Sequence, residues 1–69
     1  MKISARNQLH GKIVEIKEGA VNAIVILEIS DGQKLSATIS LDAIKELQLS
    51  VGDKAIAVIK STSVMVATE

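Results

Sequence analysis

Two short segments of the chain carry hydrogen-bond donors and no carboxylate. Residues 4–8 read Ser-Ala-Arg-Asn-Gln, and residues 60–63 read Lys-Ser-Thr-Ser, so each combines a cation with hydroxyl or amide groups. A third donor set is the start of a predicted short helix at residues 40–43, where unpaired N–H groups and the helix dipole favour an anion. If the three segments meet, they form a pocket for a fully deprotonated tetrahedral dianion, which can only accept hydrogen bonds.

The same three segments also have simpler interpretations. An arginine near the start of a chain is commonly solvated, Lys-Ser-Thr between two strands is commonly a turn, and Ser40 is a good helix cap. Spacing along the chain does not show whether the segments converge. Both the anion-site and the solvated-surface interpretations therefore stay open on pattern alone.

Other chemistry finds little support in the sequence. His10 is the one histidine and there is no cysteine, so no metal-cation cluster can be assembled around it. No serine lies in a strained nucleophile elbow, and no glycine-rich phosphate loop is present. We therefore expect no catalytic residue and no enzyme activity, with His10 a solvated strand residue.

The composition narrows the class of protein. The 69 residues carry 8 Lys+Arg and 8 Asp+Glu, are 48% hydrophobic, and include no Phe, Trp, Tyr, Pro or Cys. This length indicates a single domain, residues 1–69. Balanced charge argues against a nucleic-acid surface, and the absence of rings excludes base stacking. No apolar run exceeds that of residues 23–27, which is far below the roughly 20 residues of a membrane span. Without an apolar region after residues 1–6 to suggest a signal peptide, we expect a cytoplasmic protein.

Strands and one helix must position the donor segments. Alternating apolar residues predict strands at 8–17, 21–29, 34–40, 54–60 and 63–67. An Asp-Gly pair at 31–32 predicts a hairpin turn. Leu41, Ile44 and Leu47 recur at helical spacing after the Ser40 cap. These elements predict an all-β, OB-like, five-stranded Greek-key barrel with one short helix between strands 3 and 4.

Three of the predicted strands are apolar on both faces. In the second strand, Ile24 and Ile26 lie on the face opposite Val25 and Leu27, and the fourth and fifth strands show the same pattern. A half-solvated antiparallel sheet should instead have one polar face. Since small domains are often supported by oligomerisation, we expect the second faces to be covered by other copies of the chain.

At the donor segments the sequence resembles the molbindin, or Mop-type (TOBE-like), domain. The resemblance rests on residues 4–13, Ser-Ala-Arg-Asn-Gln-Leu-x-Gly-Lys-Ile, on residues 58–65, Val-Ile-Lys-Ser-Thr-Ser-Val-Met, and on the turn Gly52-Asp53, and it spans Met1 to about Ala67. It implies an OB-like barrel and a cytoplasmic protein that binds molybdate, and usually tungstate, for storage and homeostasis. It also implies a homohexamer, a trimer of dimers, with the oxyanion as a non-catalytic ligand bound at subunit interfaces.

The resemblance also implies the site residues. By position in this sequence, the oxyanion ligands are Ser4, Arg6, Asn7, Ser40, the amide of Ala43, Lys60 and Ser61. A second oxyanion site is placed at Gly19, Ala20 and Val21, through their backbone amides. His10 stands where relatives often have lysine, which affects a surface charge and not the site.

Two other functions compete with oxyanion binding. One is an oligonucleotide-binding OB module, against which the neutral charge and missing rings count. The other is a purely structural oligomerisation domain. Pterin binding is a weaker third possibility because the chain has no aromatic ring to stack on it.

Overall fold

The fold is a curled, open antiparallel sheet with one helix packed against it. The computed structural model describes residues 1–69, and no cis peptide bond occurs. The elements, in chain order, are β1 (Asn7–Glu18), β2 (Asn22–Ser30), β3 (Gln33–Ser40), α1 (Leu41–Leu47), β4 (Lys54–Ile59) and a 3-10 turn (Ser61–Ser63). The sheet order is β3-β2-β1-β4. A fourth strand that returns to lie beside the first is a Greek key, so the predicted topology is confirmed.

The long first strand is shared between two neighbours. Residues 7–12 of β1 pair with β4, and residues 12–18 pair with β2. Opposite β2 the register shifts at Val14, because Ile13 pairs with Leu27 and Glu15 with Ile26. Because of this β-bulge, Ile16 lies on the same core face of the sheet as Ile13. The prediction that the side chains of β1 alternate between the two faces of the sheet is therefore wrong beyond residue 13.

One face of the sheet forms a small apolar core under α1. The buried residues are Ile13, Ala23, Val25, Leu27 and Ile44. The first four come from the facing strands β1 and β2, and Ile44 is the residue that the helical spacing directs at the sheet. Leu35, Ala37 and Ile39 of β3 are half-buried on the same face, as their alternation predicts.

The predicted fifth strand, residues 63–67, is not formed. A 3-10 turn at 61–63 follows β4, and residues 64–69 have no regular structure. Met65 is 92% exposed and Val66 is 90% exposed. Alternating apolar and polar residues indicate only that a segment favours a strand conformation. A β-strand also needs a neighbouring strand with which to form backbone hydrogen bonds. The edges of β3 and β4 remain unpaired, so the chain forms a half-barrel and not the closed five-stranded barrel.

The other face of the sheet is partly apolar, as expected from the sequence. Ile24 of β2 and Ile56 and Val58 of β4 are exposed on this outer face. Exposed aliphatic side chains on a 69-residue chain leave apolar area that a neighbouring protein could cover. No helix in the structure has the length and apolar character needed to cross a membrane.

Candidate functional site

The first and last donor segments lie side by side. Asn7 and Ile59 are the terminal pair between β1 and β4, so the next residues outward are Arg6 and Lys60. Arg6 and Lys60 therefore emerge at the same end of the sheet from neighbouring strands. We call this group, residues 4–7 with 60–61, the Arg6–Lys60 end. Its convergence within one chain could not be read from spacing.

Local hydrogen bonds shape the Arg6–Lys60 end. The side-chain amide Nε2 of Gln8 donates to the carbonyl of Ala5 over 2.9 Å, which ties the start of β1 to the residues just before it. The amide of Ser63 donates to the carbonyl of Lys60 over 2.9 Å, which holds the 3-10 turn. Arg6, Lys60 and Ser61 are exposed and none forms an ion pair or a side-chain hydrogen bond. Their donors are thus available to a ligand.

The third donor segment lies elsewhere. Ser40 pairs with Asn22 at the far end of β2, next to the point where β1 ends at Glu18. Twelve residues of β1 separate this place from the Arg6–Lys60 end. They would span roughly 35 Å in a straight strand, and the longest extent of the molecule is 36 Å. The three donor segments therefore do not form one pocket within a single chain.

Ser40 acts as the N-cap of α1. Its Oγ accepts a hydrogen bond from the amide of Ala43 over 3.0 Å, as an N-cap side chain should. The Ala43 amide is thus already paired, while the hydroxyl hydrogen of Ser40 can still be donated outward. Ser40 is therefore a helix cap, as the simpler interpretation of the sequence predicted, and its hydroxyl group can still donate a hydrogen bond to a ligand.

The turn at Gly19–Val21 lies next to Ser40. The amide of Leu41 donates to the carbonyl of Val21 over 3.0 Å, which ties this turn to the start of α1. The Gly19 amide is used within the turn, since it donates to the Asn22 carbonyl over 2.8 Å. The amides of Ala20 and Val21 have no acceptor. Two free amides and a hydroxyl thus cluster here, and we call this group the Ser40–Val21 end.

One cation near this second cluster was missed by the sequence reasoning. Lys17 lines a shallow groove together with Gly19, Asn22 and Thr38. Its Nζ lies 3.9 Å from the carboxylate of Glu15, and both side chains are more than half exposed, so this ion pair holds Lys17 only weakly. The sequence feature that could have indicated this cation is a lysine two residues before a glycine turn. That combination is too common in proteins to identify a binding site.

The remaining chemistry is sparse. His10 is exposed on the outer face, directly opposite Ile56. No group of three or more His, Cys, Asp or Glu side chains is placed to hold a metal ion. Each of the two donor clusters presents hydrogen-bond donors suited to an anion.

Comparison with known proteins agrees with this chemistry. Residues 3–66 match the TOBE domain. The chain belongs to the TOBE-domain family. A probable molybdenum-pterin-binding protein of Haemophilus influenzae is 62% identical over 69 residues, the whole of both chains. Molybdenum-pterin-binding protein 3 of Clostridium pasteurianum is 54% identical, covering 96% of this chain and 97% of its own. These relatives place the chain among the molbindin, or Mop-type, members of the TOBE family, as the sequence resemblance predicts.

Solved structures confirm the OB-like β fold. MopII of Clostridium pasteurianum superposes with a TM-score of 0.90 at 51% identity, over 97% of this chain and 100% of that one. A molybdate-binding protein of Sporomusa ovata superposes with a TM-score of 0.91 at 38% identity, over 99% and 100% of the two chains. The TOBE fold described above is thus shared with a protein known to bind molybdate.

Proposed function

We propose that this TOBE-domain protein binds molybdate or tungstate as a non-enzymatic, cytoplasmic storage and homeostasis protein. The observation that carries the proposal is the Arg6–Lys60 end, where register places two unpaired cations side by side among hydroxyl and amide donors and no carboxylate. Molybdate and tungstate are tetrahedral dianions, so such a donor set matches both their charge and their four acceptor oxygens. The names of the relatives support the same ligand.

Each residue has a separate role in this site. Arg6 and Lys60 offset the charge of the dianion through charge-assisted hydrogen bonds. Ser4, Asn7 and Ser61 orient its oxygens. Hydrogen phosphate is disfavoured because these segments hold no carboxylate to accept its proton, and a buried donor left unpaired costs about 1–3 kcal/mol. Sulfate is disfavoured mainly by its smaller size.

The complete site forms between copies of the chain. Ser40 and Ala43 cannot reach Arg6 and Lys60 of their own chain because they lie at opposite ends of β1. In a homo-oligomer the Ser40–Val21 end of one copy can meet the Arg6–Lys60 end of another. We propose a hexamer, a trimer of dimers, which also covers the exposed aliphatic residues of the outer face.

A second oxyanion site is proposed at the Ser40–Val21 end. The free amides of Ala20 and Val21 supply its hydrogen bonds, while Gly19 shapes the turn because its own amide is already paired. Lys17, in the adjacent groove, is the cation placed to supply charge.

Calorimetric titration with molybdate tests the first site. Lys60→Ala removes one of two cations and should weaken binding at least tenfold, since a hydrogen bond to a charged group contributes about 1.5–3 kcal/mol. Lys45→Ala is the matched control, because Lys45 is an exposed lysine on α1, away from β4. An unchanged affinity of Lys60→Ala would remove Lys60 from the site.

The assembly needs its own measurement. Light scattering coupled to size exclusion should give six times the 7.3-kDa chain mass. A stable monomer would remove both the hexamer and the site between subunits. Native mass spectrometry with molybdate and tungstate would then count the ions bound per assembly.

Pterin is the competing ligand to include in the same titration. The names of several relatives mention a molybdenum-pterin ligand. This chain offers no aromatic ring to stack on a pterin. We expect heat from molybdate and none from a free pterin, and the reverse result would replace the oxyanion by the pterin.

A further inference from the structure

The segment that carries Ser4 and Arg6 has few constraints from the backbone. Residues 1–6 precede β1 and form no backbone hydrogen bond. The chain bends at Ser4 and again at Arg6, and the ladder between β1 and β4 begins only at the next residue, Asn7. Backbone pairing therefore does not hold the donors of residues 4–6, although the proposed oxyanion site needs them in a fixed place.

Gln8 provides the one hydrogen bond that ties this segment to the sheet. Its Nε2 donates to the carbonyl oxygen of Ala5 over 2.9 Å, and Ala5 is half-buried although both of its chain neighbours are exposed. No other hydrogen bond involves residues 1–6. The backbone of Gln8 is extended in β1 opposite Val58, so the side chain, and not the backbone amide, reaches back to the segment.

The two cations of the Arg6–Lys60 end are thus held by different means. Lys60 directly follows β4, and its own carbonyl accepts the amide of Ser63 over 2.9 Å. Arg6 directly precedes β1 and lies inside the loop that the Gln8 side chain closes on Ala5. The support for Lys60 is made of backbone groups, whereas the support for Arg6 depends on a single side-chain amide.

We propose that Gln8 is a positioning residue for the oxyanion site: its side chain fixes residues 4–6 before the ligand arrives and does not itself touch the ligand. This role rests on the proposed binding of molybdate or tungstate at the Arg6–Lys60 end. A ligand that must order a loose donor segment binds more weakly, because the ordering costs entropy. A segment already held by Gln8 presents the donors of Ser4 and Arg6 without that cost.

The expected effect is that of one neutral hydrogen bond. Removing it should weaken molybdate binding by about two- to tenfold. The bond joins an uncharged amide to a carbonyl, so this loss should be the same at low and at high salt. Arg6 and Lys60 instead attract the dianion by charge, and salt screens that attraction for exposed groups. Salt dependence therefore separates a residue that positions the segment from one that attracts the ligand.

Three variants test the role of Gln8. Gln8→Met keeps a side chain of similar length and removes the N–H donor, whereas Gln8→Lys is the conservative variant whose ammonium group can again donate to Ala5. Gln33→Met is the matched control, because Gln33 is an exposed glutamine on β3, at the opposite edge of the sheet from β4, and its side chain forms no hydrogen bond. Light scattering establishes whether each variant assembles as the unchanged protein does.

Two measurements are made on each variant. NMR relaxation of the backbone amides in the ligand-free protein reports the order of residues 4–6 on the picosecond-to-nanosecond timescale, with residues 61–63 as the internal reference. Calorimetric titration with molybdate gives the affinity at low and at high salt. Gln8→Met should lower the order of residues 4–6 alone and weaken binding by the same factor at both salt concentrations. Gln8→Lys should restore the order, and Gln33→Met should change neither order nor affinity.

Any other result overturns the positioning role. Weaker binding with unchanged order makes Gln8 a direct ligand contact, and lower order with unchanged affinity separates the segment from the site. No change in either measurement shows that the bond from Gln8 to Ala5 holds nothing, and a loss of assembly in Gln8→Met makes Gln8 a structural residue. Failure of the unchanged protein to bind molybdate refutes the proposed function, and this role with it, and is recognised from that titration alone.

Discussion

Gly11 is the position where the fold should be least tolerant of a methyl group. It pairs with Ala55, one residue before β1 exchanges β4 for β2 as its partner. A Cβ at Gly11 would lie 2.7 Å from the carbonyl oxygen of Glu28 and 3.0 Å from Cδ1 of Ile29. The nearer atom belongs to the backbone of β2, so the Gly11→Ala variant can be accommodated only if the two strands separate.

The expected cost follows from two opposing effects. Overpacking typically destabilises by about 1–3 kcal/mol, while replacing glycine lowers the entropy of the unfolded chain by about 0.4–1 kcal/mol. Gly11→Ala should therefore lose about 1–2 kcal/mol in the free energy of unfolding.

For a domain of this size each kilocalorie lowers Tm by about 4–8 °C. Thermal and urea unfolding at one fixed protein concentration measure the loss, with Ser36→Ala on the exposed face of β3 as the control. A Gly11→Ala variant as stable as the control would refute the close approach of β1 and β2.

Three further substitutions test local structure through urea unfolding. Ser40→Ala should cost about 1 kcal/mol by removing the cap of α1, whereas Ser40→Asn should retain it. Asp53→Ala removes the carboxylate that accepts the Ser50 amide over 2.9 Å and should cost about 0.5–1.5 kcal/mol. Gly32→Ala should cost about 1–2 kcal/mol because Gly32 has φ +82°, although nothing lies within 4 Å of its Cβ position; Gly32→Asn should recover part of that. Equal stability of any pair would contradict the corresponding contact or strain.

Local patterns predicted most of the secondary structure because their causes are local. The alternation of Leu35, Ala37 and Ile39 reflects one face of β3 packed on the core, and the Ser40 cap is satisfied within its own turn. The bulge at Val14 could not be read in the same way. Ile13, Val14 and Ile16 are all aliphatic, so an extra residue among them leaves no polar signature of the shift.

The fifth strand shows where local pattern stops. Residues 64–67 have the alternation of a strand, but pairing depends on which edge lies within reach, and the 3-10 turn at 61–63 separates them from β4 of their own chain. The strands that are apolar on both faces lead to a similar observation. Their outer faces and residues 64–67 are both apolar surfaces that one copy of the chain does not cover by itself.

The site divides in a similar manner. The local sequence identified residues 4–8 and 60–63 as donor segments, because each has a cation, hydroxyl or amide groups, and no carboxylate. Their adjacency required the register that pairs Asn7 with Ile59. The resemblance implied Ser40 as a ligand of the same site, while spacing left open whether one chain brings the three segments together. In the structure Ser40 lies at the opposite end of β1, since β3 pairs only with β2.

The proposed site, completed by two copies of the chain, would make ligand binding and assembly interdependent. The Arg6–Lys60 end carries two positive charges, so bringing such ends toward an interface is unfavourable until an anion lies between the donors. A dianion that binds only the assembled form stabilises it by RT ln(1 + [L]/Kd), about 2.7 kcal/mol at one hundred times Kd. The neutral total charge of the chain adds no repulsion between copies. The same 69 residues can therefore have local positive charge that attracts the ligand and zero net charge that does not oppose assembly.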